Sequence, residues 1–236
     1  MTYVSYPLIE HKRHLLLKDH QGNLVIDTGS PVSFHEDGVI ELGDYKMDVP
    51  KSVQGIVDSR YLSEKLGIEV KGLLGMDFMG KHTTVFNTKK FGGFISFDDQ
   101  GFPDADALGS FSVGGCPGIV MKVNGMNARM LVDSGANLSY IDSRFVQGAP
   151  FVGQREDFSP MLGTGVFATD TYEIPCHIGC GNHKDKDVNV VFGLPPTMIG
   201  ALLWQNKVDG VIGYDLFSNF RVLLQNGQVA LPPQGI

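Results

Sequence analysis

One pattern occurs twice along the chain: three apolar residues, then an aspartate, a hydroxyl residue and a glycine. The first copy is Leu24–Gly29, read LVIDTG, and the second is Met130–Gly135, read MLVDSG. Three consecutive apolar residues bounded by turn residues are typical of a buried β-strand. We therefore predict two buried strands, which deliver Asp27 and Asp133 at their ends.

A second phrase follows each copy further along the chain. It reads GLLGMDFM over Gly72–Met79 and GVIGYDLF over Gly210–Phe217. A hairpin pattern and then a short helical pattern separate the two phrases in both halves. The repeat predicts two copies of one unit, with an N-terminal unit over residues 1–105 and a C-terminal unit over residues 106–236. The boundary lies in 98–115, which is rich in Gly, Asp and Ala.

Capping and turn residues locate the short helices and the last hairpin. Asp58 or Ser59 begins a helix that ends at Gly67, and Pro196–Asn206 contains another. The final hairpin turns at Asn226-Gly227. Thirty glycines and twelve prolines are typical of a turn-rich chain. Together these features predict an all-β fold, mainly β-strand with short helices.

The two halves differ mainly in one long insertion. Most of the additional length of the C-terminal half lies in Phe151–Gly193. We predict a long hairpin there, with Gly163-Thr164-Gly165 at its tip, because two glycines let a tip bend sharply.

The net charge, the number of cysteines and the lengths of the apolar runs argue against several classes of binding partner and cellular location. The net charge of −7 argues against a nucleic-acid partner, which requires clustered Lys and Arg. Three cysteines are too few for a disulfide framework, and no apolar run is long enough to be a signal peptide or a membrane span. The segment Cys176–His183 lacks the ligand spacing of a zinc site. We expect a cytoplasmic protein that binds no membrane, metal or cofactor.

Two aspartates at the ends of buried strands suggest a specific chemistry. A buried carboxylate is costly unless it is hydrogen-bonded or has a functional role. If the two loops face each other, the carboxyls share one proton and titrate as a unit. The ionised carboxyl can then take a proton from water, and the protonated one can polarise a carbonyl and protonate a leaving nitrogen. This arrangement predicts peptide hydrolysis without a covalent intermediate.

The same motifs resemble those of the aspartic peptidases of the pepsin and retropepsin superfamily. VIDTGS and GLLGMDF in the first half and LVDSGA and GVIGYDLF in the second carry the resemblance, which extends over about Leu15–Leu231. It implies a bilobal pepsin-like acid-protease fold made of two retropepsin-like β-barrel lobes.

The resemblance also implies roles for individual residues. Asp27 and Asp133 correspond to the catalytic pair, and Ser30 to a serine that often bonds the neighbouring carboxylate. The residues expected to support the pair follow the two aspartates: Thr28, Gly29, Ser30, Ser134 and Gly135.

Substrate contacts are expected from the hairpin tip and from one tyrosine. Pepsins carry a tyrosine on a first-half flap, whereas the long hairpin here lies in the second half. Gly163, Thr164 and Gly165 are therefore expected to cover the substrate, and Tyr45 on the short first-half hairpin is the nearest substitute for the flap tyrosine. Asp77 and Asp215, in the two downstream phrases, are interpreted as structural hydrogen-bond acceptors.

The leading hypothesis is a monomeric aspartic endopeptidase that acts on peptide or protein substrates. The first alternative is a catalytically inactive peptide-binding protein that uses the same cleft by strand addition. The second is a dimer in which another copy of the chain completes the cleft.

Overall fold

The computed structural model describes residues 3–53, 55, 57–102, 106–160, 166–180 and 183–231. These residues form mostly β-strands with a few short helices, which confirms the predicted all-β class. In the N-terminal half the elements are β1 Tyr3–His11, β2 His14–Asp19, β3 Gly22–Ile26, β4 Phe34–His35, β5 Val39–Leu42, β6 Tyr45–Asp48, β7 Ser52–Val53, β8 Val57–Asp58, α1 Ser59–Leu66, β9 Gly72–Leu74, α2 Met76–Met79, β10 Thr83–Asn87 and β11 Phe94–Asp98.

The C-terminal half repeats this order of elements with a longer central part. Its elements are β12 Asp106–Ala107, β13 Phe111–Val113, β14 Cys116–Val123, β15 Met126–Val132, β16 Ser139–Ile141, β17 Phe151–Phe158, β18 Val166–Cys180, β19 His183–Gly193, α3 Thr197–Gln205, β20 Gly210–Ile212, α4 Tyr214–Asn219, β21 Val222–Gln225 and β22 Gln228–Leu231.

Two large sheets contain most of these strands. Within the described residues, one sheet has the order β12-β22-β21-β10-β11-β1-β2-β3-β9-β4, and the other has the order β13-β14-β15-β20-β16-β19-β18-β17. The first sheet crosses between the halves, because β10 pairs with β21 through Thr84↔Leu224 and Phe86↔Val222. The last hairpin of the chain thus extends the sheet of the N-terminal half.

The strand that ends at each aspartate lies beside the second phrase of its own half. β3 pairs in parallel with β9, and β15 pairs in parallel with β20. A parallel pair needs a long crossover connection, which the intervening hairpins and helix provide. Glycine is required in the second phrase, because a Cβ at Gly72 or Gly210 would lie 2.2 Å from the carbonyl oxygen of the neighbouring strand β4 or β16.

The predicted helices form where the capping residues indicated. The Asp58 carboxylate accepts a hydrogen bond from the backbone N–H of Tyr61 at 2.7 Å, and Gly67 ends α1 with a φ of 72°. The buried face of α1 packs with β3 and β9 in a core cluster separate from the main one. α3 occupies most of the predicted Pro196–Asn206 segment. Two further short helices, α2 and α4, follow Gly75 and Gly213 and were not predicted from the sequence.

The long insertion forms the expected hairpin and continues into another. β17 pairs with β18 from Phe151↔Tyr172 to Phe158↔Val166, and β18 then pairs with β19. The predicted tip, Gly163–Gly165, lies outside the described residues. Among the residues that are described, no helix has the length and apolar character needed to cross a membrane.

Candidate active site

The two Asp-[Ser/Thr]-Gly loops meet face to face. A Cβ atom added to Gly29 would lie 2.4 Å from Cγ of Asp133, and one added to Gly135 would lie 2.6 Å from Cγ of Asp27. Each carboxyl therefore occupies the space that the glycine of the opposite loop leaves open. Both loops need glycine at this position because any side chain would collide with the opposite carboxyl.

Four reciprocal hydrogen bonds join the loops beneath the carboxyls. The Thr28 hydroxyl donates to the Val132 carbonyl at 2.7 Å and accepts from the Ser134 N–H at 3.0 Å. The Ser134 hydroxyl donates to the Ile26 carbonyl at 2.7 Å and accepts from the Thr28 N–H at 3.0 Å. Both hydroxyl side chains are buried. This closed set of bonds fixes the separation and orientation of the two aspartates.

Backbone donors also hold each carboxyl in place. The N–H of Gly29 donates to Oδ1 of Asp27 at 2.8 Å, and the N–H of Gly135 donates to Oδ1 of Asp133 at 2.9 Å. Both aspartates lie deep among protein atoms, yet part of their surface is accessible to solvent. A water molecule can therefore reach the carboxyls.

Burial and mutual repulsion change the acidity of the pair. Burial, followed by the charge of Asp133, raises the pKa of Asp27 well above its ordinary value. Burial also raises the pKa of Asp133, while hydrogen bonds from Asp27 and from the backbone N–H groups of Gly135, Ala136 and Gly29 oppose the rise. Two adjacent carboxyls of this kind cannot both ionise easily, so they titrate as one coupled unit that holds a proton.

Residues 119–216 match the family model described as aspartyl protease. This part of the chain is similar to the aspartyl proteases. The matched segment contains the loop of Asp133 and all but the last residue of the phrase Gly210–Phe217. The match supports an aspartyl protease family and, with it, a hydrolase that acts on peptide or protein substrates. No curated protein matches the chain significantly.

The carboxylates of the second phrases bond to the backbone and hydroxyl groups that follow the two aspartate loops. Asp77 accepts from the backbone N–H of Ser33 at 3.0 Å and from its hydroxyl, which in turn accepts from the Gly75 N–H at 2.8 Å. Asp215 accepts from the Ser139 hydroxyl at 2.9 Å in the equivalent position. These bonds confirm the structural interpretation of Asp77 and Asp215.

Arg13 joins the halves beside the site and was not predicted. Its guanidinium donates to Oδ1 of Asp215 at 2.8 Å and to the carbonyl of Asn137 at 2.7 Å, and it stacks over the Tyr214 ring at 4.7 Å. No local signal in the sequence could identify it, because all three partners lie in the other half of the chain.

Cys116 is a second residue that sequence reasoning missed. Its thiol donates to the Gly29 carbonyl at 3.2 Å, directly behind the first loop. Burial, and then the charges of Asp133 and Asp27, raise the pKa of the thiol to about 12. The thiol therefore stays protonated, which makes Cys116 a hydrogen-bond donor to the loop and a poor nucleophile.

The structure does not place the Ser30 hydroxyl as expected. It donates to the Val32 carbonyl at 2.8 Å, and no bond to a carboxylate accompanies this contact among the described residues. A short hydroxyl side chain readily closes a turn with the backbone two residues on, and this local bond competes with the longer reach to Asp27. The backbone N–H of Ser30, rather than its side chain, helps to hold the pKa of Asp27 down.

The residues expected to contact the substrate are Tyr45 and the tip of the long hairpin. Tyr45 lies on the predicted hairpin of β5 and β6, where its hydroxyl donates to Asp99 at 2.7 Å. Its ring packs against His82 and Phe78, with centroids at 4.3 and 5.8 Å. These contacts do not involve the aspartates, so a substrate-binding role for Tyr45 stays a prediction. The expected contacts from Gly163, Thr164 and Gly165 fall outside the described residues.

Other polar groups form no metal centre in the part of the chain that the structure describes. No group of three or more His, Cys, Asp or Glu side chains there could hold an ion. The side chains of Cys180 and His183, part of the segment considered for zinc, lie outside the described set. A cavity of about 610 Å³ lies in the C-terminal half, lined in part by Lys122, Cys176 and His177, and none of its lining residues belongs to the aspartate loops.

Proposed function

We propose that this protein is an aspartic endopeptidase in which Asp27 and Asp133 activate one water molecule. A single observation carries the proposal: the two carboxyls face each other from matching loops, each in the space left by the glycine of the other loop. The family match supports the class of reaction. The raised pKa values of both aspartates support a shared proton.

The reaction follows from this arrangement. The ionised carboxyl takes a proton from the bound water as that water attacks the peptide carbonyl. The protonated carboxyl donates its proton to the carbonyl oxygen, which gives a tetrahedral diol. Transfer of a proton to the leaving nitrogen then breaks the C–N bond. The loop hydrogen bonds keep the carboxyls in register throughout, so little reorganisation is required during the reaction.

The proposal includes the wider architecture that the repeat implies. We assign residues 1–105 and 106–236 to two retropepsin-like lobes, and the tip at Gly163–Gly165 to a flap over the substrate. The parallel pairs β3–β9 and β15–β20 support the equivalence of the lobes. The catalytic pair is complete within one chain, which favours a monomer. A cytoplasmic location without nucleic-acid or membrane partners remains part of the proposal.

Peptide cleavage by the wild type and by matched variants tests the proposal. A mixed peptide library should be cleaved by the wild type, and a pepstatin-like inhibitor should block cleavage. Asp27→Asn and Asp133→Asn preserve the shape of the side chain and remove the shared acid–base chemistry, so each should lower kcat/KM by at least about 100-fold. Asp44→Asn, in an exposed turn, is the control and should retain full activity.

Two outcomes would refute the proposal. Cleavage that survives either active-site substitution would exclude the mechanism of the pair. Binding of peptides without cleavage at any pH from acidic to neutral would favour the peptide-binding alternative. Sedimentation of the active protein as a dimer would contradict the monomer part alone.

A further inference from the structure

The hairpin of β17 and β18 touches both halves of the protein through neighbouring residues. Asp157 pairs across the hairpin with Phe167, and Phe158 pairs with Val166. Successive residues of a strand point to opposite faces, so Asp157 and Phe158 face different surroundings. Because of this alternation, neighbouring side chains at the end of the hairpin can contact different halves of the protein.

Asp157 and Phe167 attach the hairpin to its own half. The Tyr140 hydroxyl donates to Oδ2 of Asp157 at 2.5 Å, and both side chains are buried. The Phe167 ring lies 6.2 Å from the Tyr140 ring. Tyr140 belongs to β16, the strand that follows the loop of Asp133, so this contact ties the hairpin to the floor of the proposed active site.

Phe158 attaches the hairpin to the other half. Its ring stacks on His14 with centroids 6.0 Å apart and meets Tyr61 edge-on at 6.4 Å. The ammonium group of Lys65 lies 5.6 Å from the centre of the same ring. His14 begins β2, and Tyr61 and Lys65 lie on α1, so all three partners belong to the N-terminal half. Phe158 also packs against the core cluster that contains the buried face of α1.

We propose that Phe158 is a positioning residue that docks the β17–β18 hairpin on α1 and so holds it across the cleft that contains Asp27 and Asp133. The proposal rests on the proposed protease function. An aromatic side chain that meets one ring edge-on and stacks on another gains contact energy beyond its buried area, and a nearby cation adds to it.

Hydrogen–deuterium exchange of the hairpin tests the docking without any substrate. Removal of the ring in Phe158→Ala should increase local opening, so amides of residues 151–158 and 166–172 should exchange about 3- to 10-fold faster, as expected for the loss of one aromatic cluster contact. Val166→Ala is the matched control, because Val166 lies directly across from Phe158 and is 58% exposed. It should leave exchange unchanged.

Substitutions of Tyr61, which contacts Phe158 from α1, distinguish docking of the hairpin from a general loss of packing. Tyr61→Leu removes one of the three contacts of Phe158 and should speed exchange in the same residues. The double variant should exchange no faster than Phe158→Ala alone, because that substitution already removes the contact with Tyr61. Tyr61→Phe keeps the ring and should behave as the wild type, since the buried Tyr61 hydroxyl has no hydrogen-bond partner among the described residues.

The second measurement is of KM and kcat for a peptide that the protein cleaves. Loss of docking should raise KM about 3- to 10-fold and leave kcat within about twofold, because the aspartates themselves are undisturbed. Unchanged exchange in both Phe158→Ala and Tyr61→Leu, or additive effects in the double variant, would overturn the docking proposal. If no peptide is cleaved, the protease function fails, while the exchange results still decide whether Phe158 docks the hairpin.

Discussion

The hydroxyl of Thr28 should make a large contribution to stability, because it serves two buried groups at once. The substitution Thr28→Val keeps the shape of the side chain and removes only the hydroxyl. The carbonyl of Val132 then loses a donor at 2.7 Å, and the N–H of Ser134 loses an acceptor at 3.0 Å. With Thr28 only 1% exposed, water cannot replace the lost bonds without opening the interface between the loops.

The expected magnitude follows from these two groups. A buried donor or acceptor left without a partner costs about 1–3 kcal/mol, so the loss of both should lower the free energy of unfolding of Thr28→Val by about 2–6 kcal/mol. For a chain of this length that loss corresponds to a fall in Tm of roughly 4–24 °C. Ser134→Ala removes the equivalent pair of bonds and should give a similar loss.

Urea and thermal unfolding measure the effect, and the chain provides a matched control. Thr84 is fully buried on β10, and its hydroxyl has no hydrogen-bond partner in the described part of the chain. Thr84→Val should therefore be neutral or slightly stabilising. If Thr28→Val and Thr84→Val change the free energy of unfolding by the same amount, the reasoning about the loop hydrogen bonds is wrong.

Three further predictions concern the site and its surroundings. Gly135→Ala should lower kcat/KM by about 100-fold in a folded protein, because its methyl group would force the Asp27 carboxyl, 2.6 Å away, out of position. Burial lowers the pKa of His14 from 6.5 to about 4, so the unfolded chain binds a proton that the folded chain does not. Stability should be full above pH 6.5 and fall by about 3 kcal/mol as the pH drops to 4, and urea titrations of His14→Phe should lack this part of the pH dependence. Arg13→Gln should cost about 1 kcal/mol, less at high salt, because its ion pair with Asp215 is partly exposed; urea unfolding at two salt concentrations measures both effects.

The sequence predicted the parts of the site that depend on local pattern. Leu24–Gly29 and Met130–Gly135 each contain the strand, the carboxylate and the glycine within six residues, so their local structure could be inferred directly. The meeting of the two loops followed from the repeat itself. The cap of α1 at Asp58 was predictable for the same reason, since a helix N-cap depends on adjacent residues.

Contacts between distant segments could not be predicted in this way. Arg13 and Phe158 act through partners in the opposite half, and neither has a distinctive neighbouring sequence. The Ser30 prediction was wrong about the hydroxyl because a local turn bond to Val32 competes with the contact that the family resemblance suggested. Tyr45 was chosen by its place on a hairpin, whereas its actual contacts depend on how that hairpin packs against Phe78 and His82.

The sheet shared by β10 and β21 has a consequence for how the protein is synthesised. β21 and β22 leave the ribosome after both aspartate loops, yet they complete a sheet whose first strands come from the N-terminal half. Until they arrive, β10 presents an unpaired edge that can recruit strands from other nascent chains. The N-terminal half produced alone should therefore tend to aggregate, and a peptide spanning Val222–Leu231 supplied in trans should reduce that tendency.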